Sequence, residues 1–150
     1  MDMKGVLEVK VKSGEHVCKH LILPNVITNA MKTQLAHLLV GHELTQRFIN
    51  RMSFGVGGHE EGNPMVPISP TPEDTQLESP VITKPIADFV FDTTNSVKIT
   101  AYMYESEGNG FTFTEAGLLT ANNVLVARRT FAGLTKTNDF VFEFVWTIYL

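Results

Sequence analysis

The last twelve residues, "DFVFEFVWTIYL" (139–150), constrain the architecture more than any other stretch. Phe140, Phe142, Phe144, Trp146 and Ile148 recur at every second position, so an extended chain puts them on one face. The other face carries Val141, Val145 and Tyr149, with Glu143 and Thr147 between them. A strand apolar on both sides belongs in the middle of a sheet and is covered twice, or is covered by another subunit. It needs neighbouring strands, and the rest of the chain supplies them.

In "GVLEVKVKS", Leu7, Val9 and Val11 alternate with Glu8, Lys10 and Lys12. A Ser13–Gly14 turn then leads into "EHVCKHLIL", so residues 1–24 read as an N-terminal hairpin or arm. Cys18 falls among apolar neighbours there and reads as a small core residue. "IADFVFD", "SVKITAYMYES", "FTEAGLLTA" and "VLVARRTF" are further strands, separated by Thr93–Thr94–Asn95, "EGNG" (107–110) and Asn122–Asn123. Asparagine tolerates the left-handed angles of a tight hairpin turn. The period changes once. Met31, Leu35, Leu38 and Leu39 stand at i, i+4, i+7 and i+8, the stripe of an amphipathic helix from near 28 to near 40. Thr28 or Asn29 is placed to cap its start and Gly41 to close its end. Seven to nine strands and one helix predict a mainly β fold, a jelly-roll-like β-sandwich.

At 150 residues the chain makes one domain, 1–150, able to bury roughly two-thirds of its unfolded surface. The net charge of −4 and the absence of Lys and Arg between 57 and 83 argue against nucleic-acid and anionic-membrane partners. One cysteine excludes an intrachain disulfide and suits a reducing cytoplasm. The N-terminus lacks the apolar core of a signal peptide, and no run reaches the ~18–20 apolar residues of a membrane span. A soluble protein without its own export route is expected.

Residues 59–85 hold six of the seven prolines. Proline lacks the N–H that a sheet needs, so an extended arm without regular pairing is expected. Met65, Val66 and Ile68, with Glu60, Glu61, Glu73 and Asp74, make it the candidate partner interface. A stiff arm loses little entropy on docking, and its acids would face basic groups.

Catalytic motifs are missing. The glycines of "SFGVGG" precede an acidic, proline-rich stretch rather than a helix, which opposes a phosphate loop. No H-E-x-x-H, cysteine cluster or G-x-S-x-G occurs, and His16 with His20 lacks a third ligand. No catalytic, cofactor or metal site is expected. One carboxylate remains open: Glu115, set among Phe113, Ala116, Leu118 and Leu119, is either a burial-tuned acid or a tethered structural charge.

Seven short pieces occur in a recognisable order. They are Ile27–Thr28–Asn29, "SFGVGG", "DTQLESP", Glu115–Ala116–Gly117–Leu118, Leu125–Val126–Ala127–Arg128, Lys136–Thr137 and "FVFEFVWTI". Over about residues 25–150 this pattern resembles a β-sandwich domain of tailed-bacteriophage virion proteins, which include capsid decoration (cement) proteins and adaptor domains of tail fibres and collars. The resemblance implies a structural, non-enzymatic, commonly trimeric component at the particle surface, assembled in the host cytoplasm. It turns Glu115 towards architecture, as a cross-strand ion pair with Arg128 or Arg129. Such a pair contributes about 0.5–1 kcal/mol if exposed and more if partly buried, so a modest loss is expected from Glu115→Gln. A freestanding chain of this length fits a capsid decoration protein first, bound to the major capsid protein or another virion protein. A baseplate, tail-tip or tail-fibre adaptor is the alternative. A carbohydrate-binding module, offering Tyr102 and Tyr104, is the rival from another class.

Overall fold

A computed structural model describes residues 3–150. Among them the strands are β1 (Lys4–Ser13), β2 (His16–Ile27), β3 (Ile49–Gly55), β4 (His59–Glu60), β5 (Asn63–Pro67), β6 (Pro80–Pro85), β7 (Asp88–Thr93), β8 (Ser96–Met103), β9 (Thr112–Thr120), β10 (Leu125–Thr135) and β11 (Val141–Tyr149). Two helices, α1 (Asn29–Leu39) and α2 (Leu44–Arg47), lie between β2 and β3. Nine strands form one antiparallel sheet in the order β6-β3-β9-β10-β2-β1-β11-β8-β7, while β4 and β5 form a separate hairpin.

The sheet folds over on itself at β2. Most of β2 pairs with β1, while its last residues, Val26 and Ile27, pair with Arg128 and Ala127 of β10. The two halves therefore face each other in a sandwich-like arrangement, with Phe54 of β3 against Phe144 of β11 at a ring-centroid distance of 4.1 Å. Leu7, Val9, Ile99, Met103, Met52, Leu118, Phe131 and Trp146 fill the space between. β11 lies in the middle of its half, between β1 and β8, as its double apolar pattern demands. Its outer residues Val145 and Thr147 are also buried, so the chain covers this strand by itself.

The helix spans the expected residues, but its start is fixed differently. Thr28 occupies the cap position without a capping bond; its hydroxyl donates to the Leu125 carbonyl at 2.7 Å. The Asn29 N–H goes to the carbonyl of Pro72 at 2.8 Å, so strand and proline-rich segment hold the first turn. Gly41, at φ +69°, closes the end in the left-handed region. Met31 and Gln34 are buried, whereas Leu39 of the predicted stripe faces solvent. Cys18 is exposed, against expectation. Val11 pairs with Lys19 and Lys12 with Val17, so Cys18 is the extra residue of a bulge that breaks the alternation.

The proline-rich segment 59–85 is more regular than its composition predicts. β4 and β5 pair with each other, and β6 pairs with β3 at the edge of the main sheet. Pro80 and Pro85 stand at the two ends of that edge strand, where a missing N–H costs least. The N-terminal hairpin extends to Ile27; Met1 and Asp2 lie outside the described residues. No helix of the described residues is long and apolar enough to cross a membrane.

Candidate functional site

Phe54 lies across from Ala116, and Gly55 across from Glu115. Phe54 and Ala116 face the core, so alternation turns Gly55, Glu115 and Gly117 to the outer face of that half. Residues 71–79 of the proline-rich segment cover this face, and Glu115 is fully buried beneath them. Its Oε1 accepts from the Glu78 N–H at 3.0 Å and from Arg128 Nη2 at 2.8 Å. Its Oε2 accepts from the Gly57 N–H at 3.0 Å and the Ser79 N–H at 2.8 Å. The other guanidinium nitrogen of Arg128, Nη1, donates to Asp74 at 2.8 Å. Asp74 also accepts from the N–H and the hydroxyl of Thr71, each at 3.0 Å.

Three charges thus tie the covering segment to β9 and β10. For Arg128, burial alone would lower the pKa, but the hydrogen bonds to Asp74 and Glu115 raise it above the ordinary value. For Asp74, burial pushes the carboxyl up, and the Thr71 N–H, Arg128 and the Thr71 hydroxyl together bring it below 3.8. The glycines of "SFGVGG" make room for the carboxylate. A methyl group at Gly57 would come within 2.8 Å of Oε2, and one at Gly55 within 2.6 Å of it and 2.5 Å of the Ser79 carbonyl. One at Gly117 would meet Leu125 at 2.5 Å and Leu77 at 3.1 Å. Gly58, at φ +72°, adopts a conformation that suits glycine. Both oxygens of Glu115 are occupied by two donors each, behind a closed surface. The carboxylate holds the segment.

Arg128, not Arg129, is the partner. Thr130 lies directly across from Glu115, and Arg128 sits two residues further on the same face. Arg129 points the other way and donates to the Pro24 carbonyl at 2.8 Å. Asp74, expected to face a partner protein, is turned inward to Arg128. Glu60, Glu61 and Glu73 remain exposed, as do Met65, Val66 and Ile68 around β5. That hairpin is itself anchored: the Ile68 N–H donates to the Gly58 carbonyl at 2.8 Å, and the Thr130 hydroxyl to the Ile68 carbonyl at 2.7 Å.

A second buried charge escaped the sequence reading. Lys136 is fully buried, and its ammonium donates to the Thr137 carbonyl at 2.9 Å and Asn109 at 3.0 Å. It lies 5.9 Å from the centroid of the Phe142 ring, and burial lowers its pKa. "EGNG" wraps this side chain, with Gly108 at φ +66° and Gly110 at φ +89°. The available signal was a glycine-rich turn paired with a Lys–Thr turn. Tyr102 and Tyr104 stack on each other at 5.5 Å and 19°, with Tyr104 half exposed. Among the described residues no group of three His, Cys, Asp or Glu side chains is placed to hold a metal ion.

Fold and site together define a structural β domain, fastened by a buried charge cluster under its own covering segment. The family model of the phage tail-collar fibre protein, N-terminal, matches residues 23–139, and the chain belongs to that family. It is a structural protein of the bacteriophage virion, of the tail class. No curated protein and no solved structure matches the chain.

Proposed function

We propose that this chain is an attachment module of a tail-collar fibre, working as a homotrimer that fixes the fibre to the tail. The family match carries this reading and favours it over capsid decoration, which chain length alone had put first. The exposed tip of the proline-rich segment supports it: Glu60 and Glu61 with Met65 and Val66 offer acids beside apolar side chains on an anchored hairpin, with Ile68 exposed just beyond it and Glu73 exposed on the covering segment. The partner is then another tail protein with a basic, partly apolar surface rather than the major capsid protein. The module takes its place on the virion surface during assembly in the host cytoplasm.

Electron microscopy of particles labelled on this chain tests the location. Label confined to the collar or the fibre base is expected, and label spread over the head would restore the decoration reading. Sedimentation of the purified chain tests the trimer.

A further inference from the structure

The loop "EGNG" contains Asn109–Gly110, and no other asparagine of the chain precedes a glycine. An asparagine in that position is prone to modify itself, because a residue without a Cβ lets its backbone nitrogen close on the neighbouring side chain. In that reaction the Gly110 nitrogen loses its proton and bonds to Asn109 Cγ. The Cγ–Nδ2 bond breaks, and ammonia leaves with the proton. Water then opens the cyclic imide at either carbonyl, giving aspartate or isoaspartate. Both nitrogens of this reaction are tied down in the fold. The Gly110 N–H donates to the Lys136 carbonyl at 2.9 Å. Asn109 Nδ2 donates to the Glu105 carbonyl at 2.8 Å, and its Oδ1 accepts from the Lys136 ammonium at 3.0 Å. The Lys136 N–H donates in turn to the Phe111 carbonyl at 2.9 Å, and its ammonium also reaches the carbonyls of Thr137 and Glu105 at 2.9 and 3.4 Å. One fully buried residue therefore grips the loop through its side chain and both of its backbone groups. Asn109 itself is exposed, so water stands beside the amide and burial does not protect it.

We propose that Asn109 is a masked site of self-modification and that Lys136 is the clamp that masks it. Ring closure needs the Gly110 N–H freed from the Lys136 carbonyl and the amide nitrogen freed from the Glu105 carbonyl, so it waits for the loop to open from Lys136. Conversion then runs at the rate of an unfolded chain, scaled by the fraction of time the loop is open. Isoaspartate adds a methylene to the backbone between Gly108 and Gly110, which are held at φ +66° and +89°, and the loop could not close again in the same form. A virion protein is not renewed after assembly, so the clamp sets how long this end of the domain stays chemically intact. The inference is independent of the trimer and of the tail location.

Peptide mass mapping of the full chain with an isoaspartate assay follows Asn109 during incubation at mildly alkaline pH, beside hydrogen exchange at the Gly110 N–H. In urea the site is expected to convert readily. In the native chain conversion should be at least about tenfold slower, by the same factor that protects the Gly110 N–H from exchange. Urea below the unfolding transition should raise both rates together. Lys136→Met, with its folding checked by circular dichroism, should also raise both by one common factor. Native and unfolded chains converting Asn109 at the same rate would overturn the mask. A folded Lys136→Met variant with both rates unchanged would overturn the clamp. If that variant does not fold, the urea series on the wild-type chain decides alone: rates that rise together support the proposal, and conversion that ignores the opening of the Gly110 N–H refutes it.

Discussion

Glu115→Gln keeps the shape of the buried side chain and removes its charge, so its cost comes from the four bonds the carboxylate accepts. An amide offers one oxygen in place of two. Whichever way it turns, its NH2 faces two donors: the N–H groups of Gly57 and Ser79, or the N–H of Glu78 and the Arg128 guanidinium. A buried N–H left without an acceptor costs about 1–3 kcal/mol, and a buried ion pair broken on one side about 3–5 kcal/mol. Arg128 keeps Asp74, which moderates the second figure. The expected loss is about 3–5 kcal/mol, well above the modest effect of an exposed pair. In a chain of this size each kcal/mol lowers Tm by about 2–4 °C, so Tm should fall by roughly 6–20 °C. Urea unfolding gives the free energy, and hydrogen exchange at Glu78 and Ser79 reports whether the covering segment has lifted. Combining Glu115→Leu with Arg128→Met separates charge from anchoring. If charge alone matters, the pair regains stability; if the backbone N–H groups need the carboxylate, it does not. A loss below about 1 kcal/mol for Glu115→Gln, with unchanged protection at Ser79, would refute the reasoning.

Gly57→Ala should loosen the same segment, because the added methyl meets Oε2 and the Glu78 side chain, whose Cβ would lie 2.7 Å away; exchange at Ser79 and Tm should change together. Acid should act through Asp74. Its carboxyl is lowered in the folded state, so its stabilisation is complete above its ordinary value of 3.8 and is lost as pH falls through the lower native value. Asp74→Asn should flatten that part of the stability profile below about pH 4 while lowering stability at neutral pH. Lys136→Met should cost about 1–3 kcal/mol, since Asn109 and the Thr137 carbonyl lose their donor; urea unfolding measures it. Cys18 should react with a thiol reagent in the native protein as fast as in urea, and protection would contradict the bulge in β2.

Periodicity alone reads most of the framework, because strands and helix announce themselves by their repeat. The central place of β11 follows from its two apolar faces, and the Asn122–Asn123 turn from the tolerance that Asn123 uses at φ +64°. Register is not written in the same way. The choice of Arg128 over Arg129 depends on which residue lies across from Glu115, and a shift of one position would have exchanged them. Cys18 was misplaced for the same reason, since one bulge reverses the alternation. The hold on the proline-rich segment is invisible for another reason: Glu78 and Ser79 bind Glu115 through backbone N–H groups, which every residue but proline carries. Phe89 and Phe91 alternate like core residues, and only the reach of the opposite half leaves them open.

The short pieces that carry the family resemblance are scattered in sequence and gathered in space. "SFGVGG", Leu77 to Ser79 of "DTQLESP", Glu115–Ala116–Gly117–Leu118 and Arg128 of "LVAR" all converge on one buried carboxylate. Ile27–Thr28–Asn29 joins them from the side, with Thr28 bonded to Leu125 and Asn29 to Pro72. These residues build the fastening of the covering segment. The acids divide accordingly: Asp74 turns inward to Arg128, Glu78 accepts from the Gly58 N–H while itself remaining exposed, and Glu60, Glu61 and Glu73 stay in solvent. If the β4–β5 tip docks as proposed, it can vary without disturbing the fastening. Exchanging residues 60–66 for an unrelated hairpin of equal length should preserve Tm within a few degrees and abolish docking to the tail. A large fall in Tm would mean that fastening and recognition are one structure.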